Sequence, residues 1–173
     1  AIGELELTKR YVKDRRLREL VEVRAMADEW SIRVLRHLDL RYYDFQERHF
    51  PVSGKPAERL RAFSPLSINR PDIVRFRRRL AERYRKPTSS KILLLVPCSA
   101  RKPYSASKTH RMISSALSSF SKNLAHKVVV TSPLGLVPME LELFYPAQHY
   151  EIPVTGDWSA DERSMLLETL EKF

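Results

Sequence analysis

One short segment concentrates the side chains that could do chemistry. It reads PCSARKPYSASKTH over residues 97–110 and contains Cys98, the single cysteine of the chain. A thiolate is a strong nucleophile, and nearby positive charge favours it over the thiol. Lys102 could supply that charge, and His110 is of the residue type best suited to proton transfer near neutral pH. The segment therefore predicts nucleophilic catalysis by Cys98, assisted by Lys102 and His110.

Each of these residues also has a structural interpretation, which the pattern alone leaves open. A lone cysteine after a strand is often a small, buried core residue. Ser107 precedes a predicted helix and could cap its first turn. His110 could be a structural histidine whose hydrogen bonds are satisfied inside the fold.

The elements that must position this segment alternate in type. Residues 91–96 (KILLLV) and 127–131 (KVVVT) are short apolar runs, typical of strands buried on both faces, and residues 150–154 form a third candidate strand. A helix is expected over 107–121. Another follows the capping box at 159–162, and its inward side chains are expected to be Met165, Leu166, Leu167 and Leu170. This alternation predicts an α/β fold with a mostly parallel sheet flanked by helices.

The first half of the chain has a different pattern, helical and rich in arginine. Apolar spacing predicts a helix over 12–29, and Pro71 suits the first turn of another that runs to about Tyr84. Residues 41–50 are ambiguous between strand and irregular structure. We expect a basic N-terminal region at 1–87 and an α/β catalytic core at 88–173, which could also form one combined domain.

The loops that follow the predicted strands are polar and rich in turn residues. In open α/β sheets, ligands bind beyond the carboxyl ends of the strands, so these loops should converge on one rim. The candidate substrate-binding residues in or near them are Pro97, Tyr104, Ser107, Ser132, Glu140, His149 and Trp158. For His149 and Trp158, packing in the core is the structural alternative.

The charge of the chain is distributed unevenly. The formal net charge is +10, and residues 1–90 hold 22 Lys and Arg against 13 Asp and Glu, while residues 91–173 hold 9 against 8. Such asymmetry favours a polyanion such as nucleic acid, although ion pairing with the acidic residues of the N-terminal helices is an alternative. The candidate nucleic-acid contacts are Arg75, Arg77, Arg78, Arg79, Arg83, Arg85, Lys86 and Arg101.

Several classes of site and setting are not expected. One cysteine cannot form an internal disulfide, and no His, Asp or Glu cluster has metal-ligand spacing. With four glycines there is no phosphate-cradling loop, so we expect neither metal nor cofactor. No apolar run approaches the roughly 18 residues needed to cross a bilayer, and the start does not look like a signal peptide. These patterns favour a cytoplasmic protein with no membrane partner.

The segment at 97–110 resembles the signature of the archaeosine synthase family. That signature is Pro-Cys, three residues, Lys-Pro-Tyr, two residues, Ser, two residues and His, and every fixed position is filled here. Residues 131–142 (TSPLGLVPMELE) and 145–158 (YPAQHYEIPVTGDW) are also similar to segments of that family, as is Asn69-Arg70-Pro71 at the start of the arginine-rich helix. The resemblance extends from about residue 10 to the end.

The resemblance implies a specific activity. The family acts on tRNA that carries 7-cyano-7-deazaguanine in its D-loop and adds an amine to the nitrile on the route to archaeosine. Free lysine is the implied donor, with glutamine or ammonia as other possibilities, and a radical-SAM partner enzyme completes the route. The implied fold is similar to the uracil-DNA glycosylase sandwich. Full-length members also carry transglycosylase-like and PUA domains, neither of which is recognisable in this sequence.

In that chemistry, Cys98 would attack the nitrile carbon to give a covalent thioimidate. Tyr104 could stack on the deazapurine, and Glu140 could receive the donor amine. Two alternatives to this enzyme remain. One is a non-catalytic tRNA-binding or scaffold module of a larger tRNA-modifying enzyme. The other, a glycosylase-like enzyme, rests on fold analogy alone.

Overall fold

A computed structural model describes residues 2–51, 59–118, 124–153 and 156–173. The helices within these ranges are α1 (Ile2–Lys13), α2 (Leu17–Ala25), α3 (Glu29–Arg41), α4 (Tyr43–His49), α5 (Pro71–Arg83), α6 (Lys108–Ser118) and α7 (Ala160–Glu171). The strands are β1 (Leu60–Arg61), β2 (Ile92–Pro97), β3 (Ala125–Thr131), β4 (Gly135–Pro138) and β5 (Tyr150–Glu151). Short 3₁₀ turns occupy Pro65–Asn69, Tyr104–Ala106, Met139–Leu141 and Ala147–His149. None of the described helices combines the length and the apolar character that crossing a bilayer requires.

The main sheet has three strands in the order β2-β3-β4. β2 pairs with β3 in parallel, with Leu95 opposite Val128, and β4 pairs with β3 antiparallel, with Val137 opposite Val129. A second, two-stranded sheet joins β1 and β5 in parallel. Two of the three pairings in the described part of the chain are therefore parallel, and the predicted α/β class is confirmed.

The prediction of a third strand in the main sheet was wrong. Tyr150 and Glu151 do form a strand, but their partners are Leu60 and Arg61, far away in sequence. Residue 154 of the predicted strand lies outside the described residues. The third place in the main sheet belongs to β4, which the sequence pattern did not reveal.

Helices pack against both faces of the main sheet. On one face Val96, Val129 and Val137 pack with Ile73 and Phe76 of α5. These partners lie on both sides of the boundary expected near residue 87, so the two parts of the chain share a hydrophobic core. The division into 1–87 and 88–173 stays a prediction.

The second face of the sheet is only partly covered. Val128 and Leu136 pack with Leu80 and with Leu166 and Leu170 of α7. That helix lies over β3 and β4, and it leaves the apolar side chains of edge strand β2 uncovered.

Two predicted burial patterns were therefore wrong. Leu93 and Leu95 are 46% and 43% exposed, because β2 is an edge strand with one face open rather than a strand buried on both faces. Leu167, expected to point inward from the last helix, is exposed as well.

The N-terminal region is helical, as predicted, although its elements differ in detail. The helix expected over 12–29 is two helices, separated at Arg15, whose φ is +57°. Most of the ambiguous stretch 41–50 forms helix α4. Arg18 of α2 forms an ion pair with Asp39 of α3 at 2.6 Å, and this pair links the two helices. It also pairs with Glu22 of its own helix at 2.9 Å.

Replacing Gly135 with alanine should destabilise the fold by about 2–3 kcal/mol. The residue opens β4 with a φ of +78°, and a Cβ atom there would lie 2.8 Å from Thr169 Oγ1 of α7. Thr169 cannot easily move away, because its hydroxyl donates to the Met165 carbonyl at 2.7 Å. Chemical denaturation measures the loss of unfolding free energy.

Gly156→Ala is the matched control for that change. Gly156 also has a positive φ, +74°, but a Cβ atom there would meet open space. We expect it to cost about 1 kcal/mol, from backbone strain alone. Equal losses of unfolding free energy in the two variants would mean that the contact between residue 135 and Thr169 of α7 adds nothing to the cost.

Candidate functional site

A cavity of about 420 Å³ opens at the carboxyl ends of β2 and β3. This volume lies within the range of about 300–1,000 Å³ typical of small-molecule sites. Its walls are Leu95, Val96, Pro97, Cys98, Val130, Ser132, Ile152, Pro153, Gly156, Asp157, Trp158 and Glu162. The cavity thus draws on all three loops that follow the predicted strands, as the position of ligand sites in α/β sheets leads one to expect.

Cys98 is placed at the cavity by the end of strand β2. The strand runs to Pro97, and Cys98 is the next residue, half-buried between the cavity and the hydrophobic core. A thiol in this position is supported by the sheet and still reachable from the cavity.

A carboxylate stands across the cavity on the first turn of α7. The Ser132 hydroxyl donates to Glu162 Oε1 at 2.5 Å, and the Ser159 amide donates to Oε2 at 2.8 Å. Burial would raise the pKa of Glu162, but the hydrogen bonds from Ser132 and Ser159 outweigh it and leave that pKa below its ordinary value. Glu162 is therefore ionised at neutral pH.

The remaining walls are mostly apolar. Leu95, Val130, Ile152 and the half-buried Trp158 offer flat or aliphatic surfaces. The charged residues among the described walls, Asp157 and Glu162, are both acidic. The cavity suits a flat heterocycle together with a cationic group, and it disfavours a phosphate.

Lys102 lies beside this cavity and does not line it. Its Nζ atom lies 4.0 Å from the centroid of the Tyr150 ring. Burial lowers the pKa of Lys102, and the charges of Cys98 and Glu151 oppose part of that shift. Lys102 is thus within electrostatic reach of the thiol.

His110 points away from the cavity and into the fold. Its ring is fully buried beside Tyr104, and Nε2 lies 3.0 Å from the carbonyl oxygen of Pro97. Burial lowers the pKa of His110, although the Pro97 carbonyl partly opposes this, so the ring is neutral and donates from Nε2. The geometry favours the structural alternative, in which His110 fixes the residue before Cys98, over direct proton transfer.

Other predicted substrate contacts are held elsewhere. The Ser107 hydroxyl accepts from the His110 amide at 3.1 Å, as a helix cap does. Tyr104 is fully buried, with its hydroxyl 2.5 Å from that of Tyr150, so its ring has no face open for stacking. Glu140 is exposed beside Tyr84, at 3.4 Å from its hydroxyl.

His149 is half-buried in a 3₁₀ turn and does not line the cavity either. Of the predicted substrate contacts, the cavity therefore brings together Pro97, Ser132 and Trp158, along with Cys98.

The arginine-rich helix α5 divides into two sets of side chains. Arg75 pairs with Glu47 at 2.6 Å, and Arg78 lies over the Tyr43 ring at 4.0 Å. Arg77 donates to the carbonyls of Ile68 and Pro133 at 2.9 and 2.8 Å, and burial lowers its pKa to about 10. Arg75 makes the ion pair with an N-terminal helix that the structural alternative predicts, whereas Arg77 is held by backbone carbonyls. The exposed candidates are Arg78, Arg79 and Arg83 of α5, together with Arg85, Lys86 and Arg101 outside that helix.

Sequence reasoning missed two acidic residues of the cavity. The sequence pattern accounts for Glu162 by its place in the capping box, which the structure confirms, and gives no sign that it also lines the cavity. Asp157 lies in a loop to which the strand-end rule points. In the described ranges, no three His, Cys, Asp or Glu side chains gather as metal ligands would.

Comparisons with known proteins find a matching family and relatives that align with nearly the whole chain. A family model described as a domain of unknown function (DUF5591) matches residues 73–173. An archaeosine synthase of Haloferax volcanii is 45% identical over 99% of this chain and 28% of its own length. An archaeosine synthase subunit alpha of Methanosarcina acetivorans is 40% identical over 99% of this chain and 27% of its own.

A more distant relative carries a different name. A tRNA-guanine(15) transglycosylase of Methanococcus maripaludis is 31% identical over 90% of this chain and 21% of its own length. The chain thus spans between about a fifth and a third of the length of the curated relatives that it matches. No solved structure gives a significant match, so the likeness to the uracil-DNA glycosylase sandwich stays a prediction.

Proposed function

Because this chain belongs to the DUF5591 family and matches archaeosine synthases over nearly all of its length, we propose that it carries their amine-adding step. Its substrate is tRNA bearing 7-cyano-7-deazaguanine, and its product is an amidine on the route to archaeosine. One observation carries this proposal: the single thiol of the chain faces a cavity with apolar walls and two carboxylates.

The reaction needs no oxidant and no cofactor. The Cys98 sulfur attacks the nitrile carbon, a C–S bond forms, one π bond of the nitrile opens, and its nitrogen takes a proton to give a thioimidate. The amine then attacks the same carbon. A C–N bond forms, the C–S bond breaks, and the thiolate is regenerated, while the proton of the attacking nitrogen passes to the imine nitrogen, so that the product is the protonated amidine.

The charge of the cavity favours a cationic donor. Glu162 and Asp157 can bind an ammonium group. A carboxylate whose pKa lies below its ordinary value is too weak a base to deprotonate that group, so the amine loses its proton to water before attack. Free lysine is a cationic donor, and so is the ammonium ion, whereas the side chain of glutamine is not. A radical-SAM enzyme is then the partner that converts the lysine adduct further.

Mass spectrometry of the tRNA tests this function. The chain is incubated with nitrile-bearing tRNA and isotope-labelled lysine, ammonium or glutamine, and the modified nucleoside is weighed. We expect a labelled adduct with lysine, a smaller yield with ammonium and none with glutamine. Binding of the tRNA without an adduct from any amine would contradict the proposal.

Binding of tRNA without an adduct would support a second candidate function, that of a non-catalytic tRNA-binding module. One observation favours it: a relative named for a different reaction, a tRNA-guanine(15) transglycosylase, contains a related sequence. A module shared between enzymes is expected to bind the common substrate, whatever reaction each enzyme performs.

Under either function, the exposed arginines of α5 should contact the RNA backbone. Replacing Arg79 and Arg83 together with glutamate should weaken tRNA binding at least about tenfold, because two phosphate contacts are lost. The slope of log affinity against log salt concentration should fall by about 1.5–2. Binding titrations at several salt concentrations measure both quantities.

Arg111→Glu is the control, since Arg111 is exposed on α6 rather than α5. An equal effect of this single change, or an unchanged slope in the double variant, would show that α5 is not the RNA surface.

A further inference from the structure

Lys102 is held by an aromatic ring rather than by a carboxylate. Its Nζ atom lies 4.0 Å from the centroid of Tyr150, and within the described ranges no Asp or Glu oxygen lies within 4 Å of it. A partly buried ammonium needs a compensating contact, and the negative face of an aromatic ring supplies one. The ring of Tyr150 is thus the contact that fixes where this cation lies.

The ring itself is fixed from two sides. Tyr150 is 2% exposed and belongs to β5, which pairs with β1. Its hydroxyl lies 2.5 Å from that of Tyr104 and also contacts the hydroxyl of Thr131. Thr131 ends β3 and is followed by Ser132 in the cavity wall, so the ring is tied to the same strand end as the cavity.

Lys102 and Cys98 lie against the same part of the fold. Cys98 packs against the hydrophobic cluster that contains Tyr150, and the Lys102 ammonium lies over the ring of Tyr150. Glu151 also acts on the ammonium. Glu151 already pairs with Arg59 at 2.8 Å and with Arg61 at 3.7 Å. The ammonium is therefore available to stabilise a thiolate at Cys98.

We propose that Tyr150 is a positioning residue, whose ring holds Lys102 beside Cys98 and thereby favours the reactive thiolate. This inference rests on the proposed function only in taking Cys98 as the nucleophile. The aromatic ring makes the contact that holds Lys102, and the Tyr150 hydroxyl orients that ring through its contacts with Tyr104 and Thr131.

The rate at which iodoacetamide alkylates Cys98 tests the proposal without tRNA. Followed by intact mass at neutral pH, Lys102→Met should slow alkylation about three- to tenfold, because the thiolate loses its nearby cation. Tyr150→Leu should slow it equally. Tyr150→Phe keeps the ring and should stay within about twofold of the parent chain.

A double-mutant cycle separates positioning from damage to the fold. If Tyr150 acts through Lys102, then Tyr150→Leu should cause no further slowing in a Lys102→Met background. Further slowing there, or an unchanged rate in Tyr150→Leu alone, would overturn the proposal.

A second measurement needs no change at Tyr150. In the parent chain, NMR signals of the Lys102 ε-methylene should be shifted upfield by the ring, with Lys102→Arg used to assign them. Signals at the ordinary lysine position would overturn the proposal even if Tyr150→Leu did not fold. Because no tRNA is involved, these outcomes are independent of whether the amidine-forming reaction occurs.

Discussion

Replacing Cys98 with alanine should abolish the labelled amine adduct on tRNA, with a loss of at least about 10³-fold in rate. The nitrile carbon is a weak electrophile, and without the sulfur no covalent intermediate can form. Binding of tRNA should be unchanged, because the exposed cations of α5 are not altered. Quantitative mass spectrometry of the modified nucleoside measures the rate.

Ser99→Ala serves as the control for this change. Ser99 is the next residue, is not part of the cavity wall, and donates a local hydrogen bond to the Arg101 carbonyl at 2.8 Å. It should retain most of the parent activity. A Cys98→Ala variant that still forms the adduct would mean that the amine attacks the nitrile directly.

Replacing Glu162 with glutamine should raise the KM for lysine by about 10- to 100-fold, since a charged partner of the ammonium is lost. The amide oxygen can still accept from the Ser159 amide, so the helix cap is preserved. The unfolding free energy should therefore change by less than about 1 kcal/mol. Steady-state kinetics with varied lysine and a denaturation curve measure the two quantities.

Asp161→Asn removes the same charge one residue earlier in the same helix turn. Asp161 does not line this cavity, so its replacement should leave the KM for lysine unchanged. A similar rise of the KM in both variants would mean that the overall negative charge at the start of α7, rather than contact with Glu162, governs lysine binding. An unchanged KM in Glu162→Gln would remove Glu162 from amine binding.

The parts of the fold that follow from local pattern were predictable. The apolar runs predicted as strands at 91–96 and 127–131 form most of β2 and β3, and the capping box at Ser159 does begin α7. Strand β4 was missed because its four residues lie among prolines and glycine, a composition typical of loops. The pairing of Tyr150 with Leu60 depends on contacts between distant segments, which local pattern does not encode.

Burial was the harder property to predict. A continuous apolar run suits either a central strand or an edge strand with an open face, and only the sheet order shows that β2 is the edge. Likewise, charge alone could not tell the half-buried Arg77, bonded to two carbonyls, from the exposed Arg79.

The candidate site was predictable in its location and less so in its members. The strand-end rule places Cys98, Ser132 and Trp158 around one cavity, as the structure does. The spacing of the motif says nothing about side-chain direction, and so it could not show that His110 turns inward to Pro97. The motif residues divide between the cavity wall and the scaffold that supports it.

Two regions of opposite charge lie on this basic chain. The exposed cations of α5 suit an RNA backbone, while the acidic cavity suits an amine and repels phosphate. A protein with a net charge of +10 can in this way bind a polyanion and still admit a positively charged donor to its reactive thiol.

The central claim is that Cys98 forms a covalent bond with the nitrile carbon, and trapping that bond tests it most directly. The chain is incubated with nitrile-bearing tRNA in the absence of any amine, the RNA is digested, and the peptides are weighed. We predict a thioimidate adduct of the base on the peptide that contains Cys98, which disappears when lysine is added. An unmodified Cys98 peptide under conditions where the same chain goes on to form the amidine would contradict the account.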